Sequence, residues 1–286
     1  MKILFLLFLQ ISTYGQHIYK GDIINNITKE KIPFATVGLI KENIGTNADE
    51  NGKFSLTSKS YANDTLAISC VGYETVKFPI DKLPENMLYG ISEKQIFLKT
   101  VVLSNSYKRA TLNDFSNCGL NSYTSSGAVT QIAEHFRSPA ENSLLTEINI
   151  CKQGDNCIFR IRIYDMDTIT GMPSTDLADT VLEVKSGERH VNIDLESYKI
   201  VIPKRDFFIA IEWLYIESNA NKVKVKLNGQ KRTYLQYSPY IFFKERNGDR
   251  SDPGNLRNWQ LDYRGKWFPV AQNWQMLISA NIKYQQ

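Results

Sequence analysis

Cysteine and histidine are scarce in this chain: 286 residues hold four Cys and three His. No two cysteines stand in a CxxC pair, and none of His17, His135 and His190 lies near a cysteine in sequence. The ligand spacings that build structural zinc sites are therefore missing, and no metal is expected. The His-Glu-x-x-His of zinc peptidases, the P-loop, Gly-x-Gly-x-x-Gly and Gly-x-Ser-x-Gly are absent as well. The sequence thus supplies neither a phosphate cradle nor an activated serine, and we expect no cofactor and no enzymatic activity. Charge of one sign is also lacking. The formal net charge of +4 is too small to predict general affinity for nucleic acid, which needs many clustered cations. No apolar run reaches the roughly 20 residues of a membrane-spanning helix, so an integral membrane protein is not expected.

What is present begins with an export signal. Residues 1–15 open with Lys2, continue with the apolar run Ile3 to Leu9, and end with small residues at Thr13 and Gly15. That order of charge, apolar core and small residues predicts a secretory signal peptide cut after Gly15. Aromatic residues make up 12% of the chain, enough to fill hydrophobic cores and argue against wholesale disorder.

Residues 16–99 show no helical period. HIYKGDIIN alternates apolar and polar residues, as a half-buried strand does. PFATVGLI, GKFSLT, DTLAIS, ETVKFPI and KQIFLK follow as short strands between turn signals. Asn51-Gly52 marks a tight reversal, because glycine reaches positive φ at no steric cost. Strands of this length and spacing predict a small antiparallel sandwich.

The order GDIIN, PFATVGL, GTNADENGKFSL, DTLAIS and GYE resembles the carboxypeptidase-regulatory-like domain. Gly45-Thr46, Asp49-x-Asn51-Gly52-x-Phe54 and Gly72-Tyr73 carry the likeness most specifically. The resemblance implies a seven-stranded, transthyretin-like sandwich without catalytic residues. In that family the module often follows the signal peptide of bacterial cell-envelope proteins, ahead of transporters, peptidases or uncharacterised domains. Here the remainder of the chain shows neither a transporter barrel's length nor a peptidase motif.

Residues 100–115 are polar and predict a linker. From 116 to 286, LLTEINICK, NCIFRIRIYD, DTVLEVKSG, RHVNIDL, DFFIAIEWLYI, KVKVKL, YIFFKER and WQMLISANIKY read as strands. They predict a second, larger, jelly-roll-like sandwich, and the pattern from FRIRIYD to FFIAIEW resembles jelly-roll domains of other exported bacterial proteins. Within FRIRIY, Phe159, Ile161 and Ile163 share one face while Arg160, Arg162 and Tyr164 share the other.

Four cysteines allow three pairings. Cys151 and Cys157 flank a turn between strand-like runs, which favours a bond between them; the alternative is four free thiols, with Cys70 buried. His135 and His190 read as surface residues. Asp165, Asp167, Asp176 and Asp179 punctuate one loop, where converging carboxylates could hold calcium or simply face water. Glu147, Glu183, Asp194 and Glu212 are the acids from which a glycosidase pair would come, although nothing selects one. Lys222, Lys224 and Lys226 occupy one face of a strand, followed by Lys231 and Arg232. Such a face either meets an anionic polymer or membrane surface, or guards a sheet edge. Late aromatics complete the inventory. Trp259, Tyr263, Trp267 and Tyr237 are the candidate binding residues, since sugars stack their apolar C–H faces on such rings; the alternative is that they plug the core. Trp213 and Trp274 read as core. The sequence-based expectation is therefore an exported, all-β, non-catalytic protein of periplasm, outer-membrane surface or exterior. Its partner would be a glycan or an envelope protein, unless both sandwiches serve purely as structural or assembly spacers.

Overall fold

The computed structural model describes residues 16–59, 63–94, 106–178, 180–227, 230–245, 258–270 and 273–285. The predicted signal peptide, residues 95–99 of the predicted strand KQIFLK and residues 100–105 of the predicted linker lie outside them. The described residues form strands and three short 3-10 turns, with no α-helix among them.

Seven strands make the first sandwich: β1 (His17–Asn25), β2 (Thr36–Leu39), β3 (Ile44–Asn47), β4 (Lys53–Ser58), β5 (Thr65–Ser69), β6 (Val76–Pro79) and β7 (Leu88–Ile91). One sheet is ordered β4-β1-β7 and the other β3-β2-β5-β6. The alternation read from the sequence is the alternation of burial: Phe54 and Leu56 point inward from β4, beside Ile23, Val37, Leu66 and Ile68. Gly52 sits at φ +72°. Asp49 caps the same reversal, accepting the N–H groups of Asn51 at 2.8 Å and Lys53 at 2.9 Å. This turn carries the chain from one sheet to the other, since β3 and β4 belong to different sheets.

The second sandwich contains β8 (Lys108–Leu112), β9 (Asn121–Ser125), β10 (Gln131–Arg137), β11 (Ser143–Gln153), β12 (Cys157–Met166), β13 (Pro173–Asp176), β14 (Leu182–Ser186), β15 (His190–Asp194), β16 (Ile200–Ile202), β17 (Asp206–Trp213), β18 (Ala220–Leu227), β19 (Gln230–Glu245), β20 (Trp259–Leu261), β21 (Trp267–Pro269), β22 (Trp274–Met276) and β23 (Ile278–Tyr284). A seven-stranded sheet runs β13-β12-β17-β10-β20-β21, with β14 also on β12. A nine-stranded sheet runs β18-β19-β11-β23-β8, with β9, β15, β16 and β22 attached. Between them lies one core. Phe159, Ile161, Ile163, Phe207, Ile209 and Ile211 come from the first sheet, and Leu145, Ile148, Ile150, Ile278 and Ile282 from the second. Each such side chain contributes about 1.5–3 kcal/mol by leaving water.

Two expectations need correction. The stretch 100–115 is not wholly a linker, because Lys108–Leu112 pairs with β23 as an edge strand of the second sandwich. The disulfide joins Cys118 to Cys151, and Cys70 and Cys157 are free. Cys151 and Cys157 flank a turn that changes sheets, so they never face each other. Cys157 points into the main core, whereas Cys151 points to the opposite side of β11, against Phe242, Leu277 and Cys118.

The sandwiches are docked through a specific interface. Arg160 reaches out of β12 to donate to the carbonyls of Phe34 at 3.0 Å and Pro33 at 3.3 Å. Asn47 accepts the N–H of Tyr215 at 2.8 Å. Phe34 packs with Leu214 and Ile216. The ring of Tyr263 lies against Gly38 and Gly45.

Candidate functional site

Strand register lays out the outer face of the seven-stranded sheet, the side turned away from the main core, as three rows. In the first row Asp176, Tyr164, Phe208 and His135 stand side by side on β13, β12, β17 and β10. In the second, Arg162, Ala210, Ala133 and Trp259 follow across β12, β17, β10 and β20. The third contains Glu183, Arg160, Glu212, Gln131, Leu261 and Trp267. The two alanines make a low floor in the centre. Tyr164, Trp259 and Trp267 pack over it with Phe208 and Met166.

The polar groups around that floor are held in place. Arg162 donates to Asp176 at 2.8 Å and to Glu212 at 3.1 Å. Its guanidinium also lies 5.6 Å from the centre of the Tyr164 ring. Burial works against the Arg162 charge, but Tyr164, Glu212 and Asp176 outweigh it and keep its pKa above the ordinary value. The Tyr164 hydroxyl donates to Gln131 at 2.9 Å. Burial pushes the pKa of that phenol up, so it stays a neutral donor. The rings of Trp267 and Tyr164 meet edge to face, with centroids 5.5 Å apart. Nearby, His135 stacks on Phe208 and bonds Asp206 at 3.0 Å. The face therefore carries half-buried indole rings over buried, preoriented polar groups, of which Arg162 and Asp176 keep part of their surface exposed.

Of the sequence-predicted binding residues, the structure brings Trp259 and Trp267 together here. Tyr237 and Tyr263 go elsewhere, each against Tyr215, with ring centroids 4.7 Å and 5.8 Å from it. Tyr263 is 7% exposed and wedged against the first sandwich. Sequence reasoning did not assign Arg162, Tyr164 and Gln131 to a site, and it placed Asp176 in a candidate calcium loop. The signal for two of them was visible in FRIRIY, where an arginine and a tyrosine alternate with core residues.

Among the acids named from the sequence, Glu147 and Asp194 stand opposite each other on β11 and β15. Glu212 is bonded to Arg162 and Glu183 lies beside Arg160, on the strand between the two acids. Glu147 accepts from Asn149 and Asn281. In the proposed calcium loop, Asp165 pairs with Lys204, Asp167 caps Ile169 and Thr170, and Asp176 belongs to Arg162. Asp179 is outside the described residues. A depression on the first sandwich is lined by Lys41, Asp64 and Ile80. There Asp64 is already occupied by the N–H groups of Lys41, Glu42 and Thr65.

Among the described residues one set of metal-ligand types does converge: Cys118, Cys151 and His190. Sequence distance concealed it, because the register of β11 and β15 sets His190 opposite Cys151. His190 Nε2 lies 3.2 Å from Cys118 Sγ. The two sulfurs are bonded to each other, which removes the thiolates a metal would require.

Residues 19–103 match the family described as the CarboxypepD_reg-like domain, as the quoted motifs implied. No curated protein matches the chain. Among solved structures, the chain is similar to the cysteine protease and lectin-like domains of Cwp84, a surface layer associated protein of Clostridium difficile. The TM-score is 0.36 at 10% identity, covering 95% of this chain and 59% of that one. The clostridial protease after propeptide cleavage gives a TM-score of 0.39 at 12% identity, covering 95% and 66%. The chain spans less than two thirds of either solved chain, and likeness at this level assigns no function.

Proposed function

We propose that the chain is an exported, non-catalytic binding protein of the cell envelope. Its second sandwich takes a glycan on the outer face of the seven-stranded sheet. The observation that carries this reading is the placement of Trp259 and Trp267 beside the Arg162–Asp176–Glu212 network. Indole rings suit the apolar C–H faces of pyranose rings, while fixed carboxylate and guanidinium groups suit hydroxyls. The amino-terminal apolar run and the regulatory-like module support export. No described helix is long and apolar enough to cross a membrane. The ion pairs of Glu183 and Glu212 with arginines support binding over turnover, because both carboxylates are already engaged within the sheet.

A second reading, a spacer without a ligand, draws on the interface of Arg160, Asn47 and Tyr263, which holds the sandwiches as one unit. A glycan array and polysaccharide pull-down separate the two. The binding reading expects retention of a carbohydrate by the natural chain, and its loss in Trp259→Ala and Trp267→Ala at unchanged melting temperature. Retention of no carbohydrate favours the spacer. Turnover on a glycoside or peptide panel overturns the non-catalytic assignment.

A further inference from the structure

The hairpin of β18 and β19 extends past the sheet that anchors it. Strand β18 is the last in the order of the nine-stranded sheet. On β19, the strands β9, β11 and β22 take only Tyr237 and Tyr240 to Glu245. From Gln230 to Gln236 its one partner among the described strands is β18. The result is a two-stranded ribbon, an element that is marginal when unsupported.

Register sorts its charges. Lys222 stands opposite Leu235, Lys224 opposite Thr233, and Lys226 opposite Lys231, so four lysines share one face. Val223 with Tyr234, and Val225 with Arg232, occupy the reverse. All four lysines are exposed. Among the described residues, no carboxylate forms a salt bridge with any of them. Like charges directly opposite destabilise a ribbon, and a single lysine would already guard the edge. Four on one face, two of them opposed, form a row of cations with no acidic partner among the described residues. At about 3.4 Å per residue, alternate lysines recur roughly every 7 Å along it.

We infer that this ribbon is a docking arm for a linear acidic polysaccharide, a polymer bearing carboxylate or sulfate groups. It is a surface distinct from the aromatic face and does not depend on that reading. The row is extended and lysine ammonium groups are point charges, which suits a flexible chain of repeated anions. A bilayer fits less well, because it engages cations and apolar groups from the same side. Here Leu235 is the one large apolar side chain among the described residues of the lysine face, while Val223, Val225 and Tyr234 lie on the reverse. A single-stranded nucleic acid would need aromatic rings within the basic face, and Tyr234 is on the reverse.

The test uses the mature full chain with polygalacturonate as probe, and anionic phospholipid vesicles and duplex DNA as comparators. The natural chain is expected to bind polygalacturonate with an affinity that falls as salt rises. The variant Lys222→Gln/Lys224→Gln/Lys226→Gln is expected to lose about tenfold or more. A charge-matched control, Lys53→Gln/Lys77→Gln/Lys82→Gln on the first sandwich, should bind as the natural chain does. Trp259→Ala/Trp267→Ala should also retain this binding, which separates the arm from the aromatic face. If the triple variant is poorly folded, Lys226→Gln/Lys231→Gln is read instead, with the same direction of loss. Four results overturn the proposal: no binding to polygalacturonate, equal loss in the control, binding confined to vesicles or DNA, or a ribbon variant that binds normally and merely self-associates.

Discussion

Tyr263 of the second sandwich lies against the backbone of Gly45 in the first: a β-carbon on Gly45 would come within 2.2 Å of the Tyr263 ring and 2.6 Å of the Val37 carbonyl. The Gly-Thr pair that marks the amino-terminal module in sequence thus has a physical task in this chain, to seat a ring from the neighbouring sandwich. Gly45→Ala forces either the ring or strand β2 to move. The expected loss is about 1–3 kcal/mol, the usual range for overpacking. Calorimetry should also show the single unfolding transition of docked sandwiches beginning to split in two. Two separate transitions already present in the natural chain and unaltered by Gly45→Ala would mean that the interface is not formed in solution.

The Cys118–Cys151 bond closes a loop with a sequence separation of 33. Its loss by Cys118→Ser, or by reduction, is expected to lower unfolding free energy by about 3–4 kcal/mol on the chain-entropy account. Thiol titration of the denatured, unreduced chain should count Cys70 and Cys157 only. Peptide mapping that recovered Cys151 bonded to Cys157 would refute the assignment.

How far the sequence led is clearest at Cys151. Alternation along β11 and β12 was legible, so the strands and their inward residues were too. Missing was the knowledge that the turn between them changes sheets, since period two says which side a residue faces within a sheet and nothing about which sheet it joins. Lys108–Leu112 escaped for a related reason: an edge strand exposed on one side has the polar composition of a linker. Trp259 and Trp267 were recognised as rings, but their neighbours Arg162 and Gln131 come from strands far away in the chain. Only the lateral order of β12, β17, β10 and β20 places them together, and that order is set by long-range pairing.

Alkaline pH should destabilise the protein through its buried phenols. Burial raises the pKa of Tyr123, Tyr164, Tyr215 and Tyr263 above the ordinary 10.0. Below that value both folded and unfolded chains keep these protons, and the stability is complete. Above it the unfolded chain loses them first, so stability falls as pH rises, by up to about 1.4 kcal/mol per pH unit for each such group. Urea midpoints measured at rising pH should hold steady to about pH 9 and then drop. In Tyr164→Phe the drop should be shallower. The variant starts from a lower stability, because Gln131 loses the donor that reaches it at 2.9 Å.

Asp206 links His135 and Arg137 at the rim of the same face, with contacts of 3.0 Å and 3.5 Å. Since the Arg137 side chain is 57% exposed, its half of the link should add little, at most about 1 kcal/mol. The imidazole is more enclosed and stacks on Phe208. Arg137→Ala is thus expected to leave the melting temperature nearly unchanged. Asp206→Ala should cost more, about 1–3 kcal/mol, by removing the carboxylate that His135 bonds at 3.0 Å. Equal losses in the two variants would contradict that division.

If the ribbon lysines are kept for a ligand, they are kept against the interest of the fold. Lys226 and Lys231 repel across the hairpin, and replacing one with an acid turns repulsion into attraction. Lys231→Glu should therefore stabilise the ribbon by roughly 0.2–1 kcal/mol, seen as slower amide exchange in β18 and in residues 230–236. The same change should weaken binding to an acidic polysaccharide. Stability and binding then move in opposite directions in one variant. Edge protection alone gives a different outcome, because Glu guards an edge as well as Lys does, and nothing would be lost.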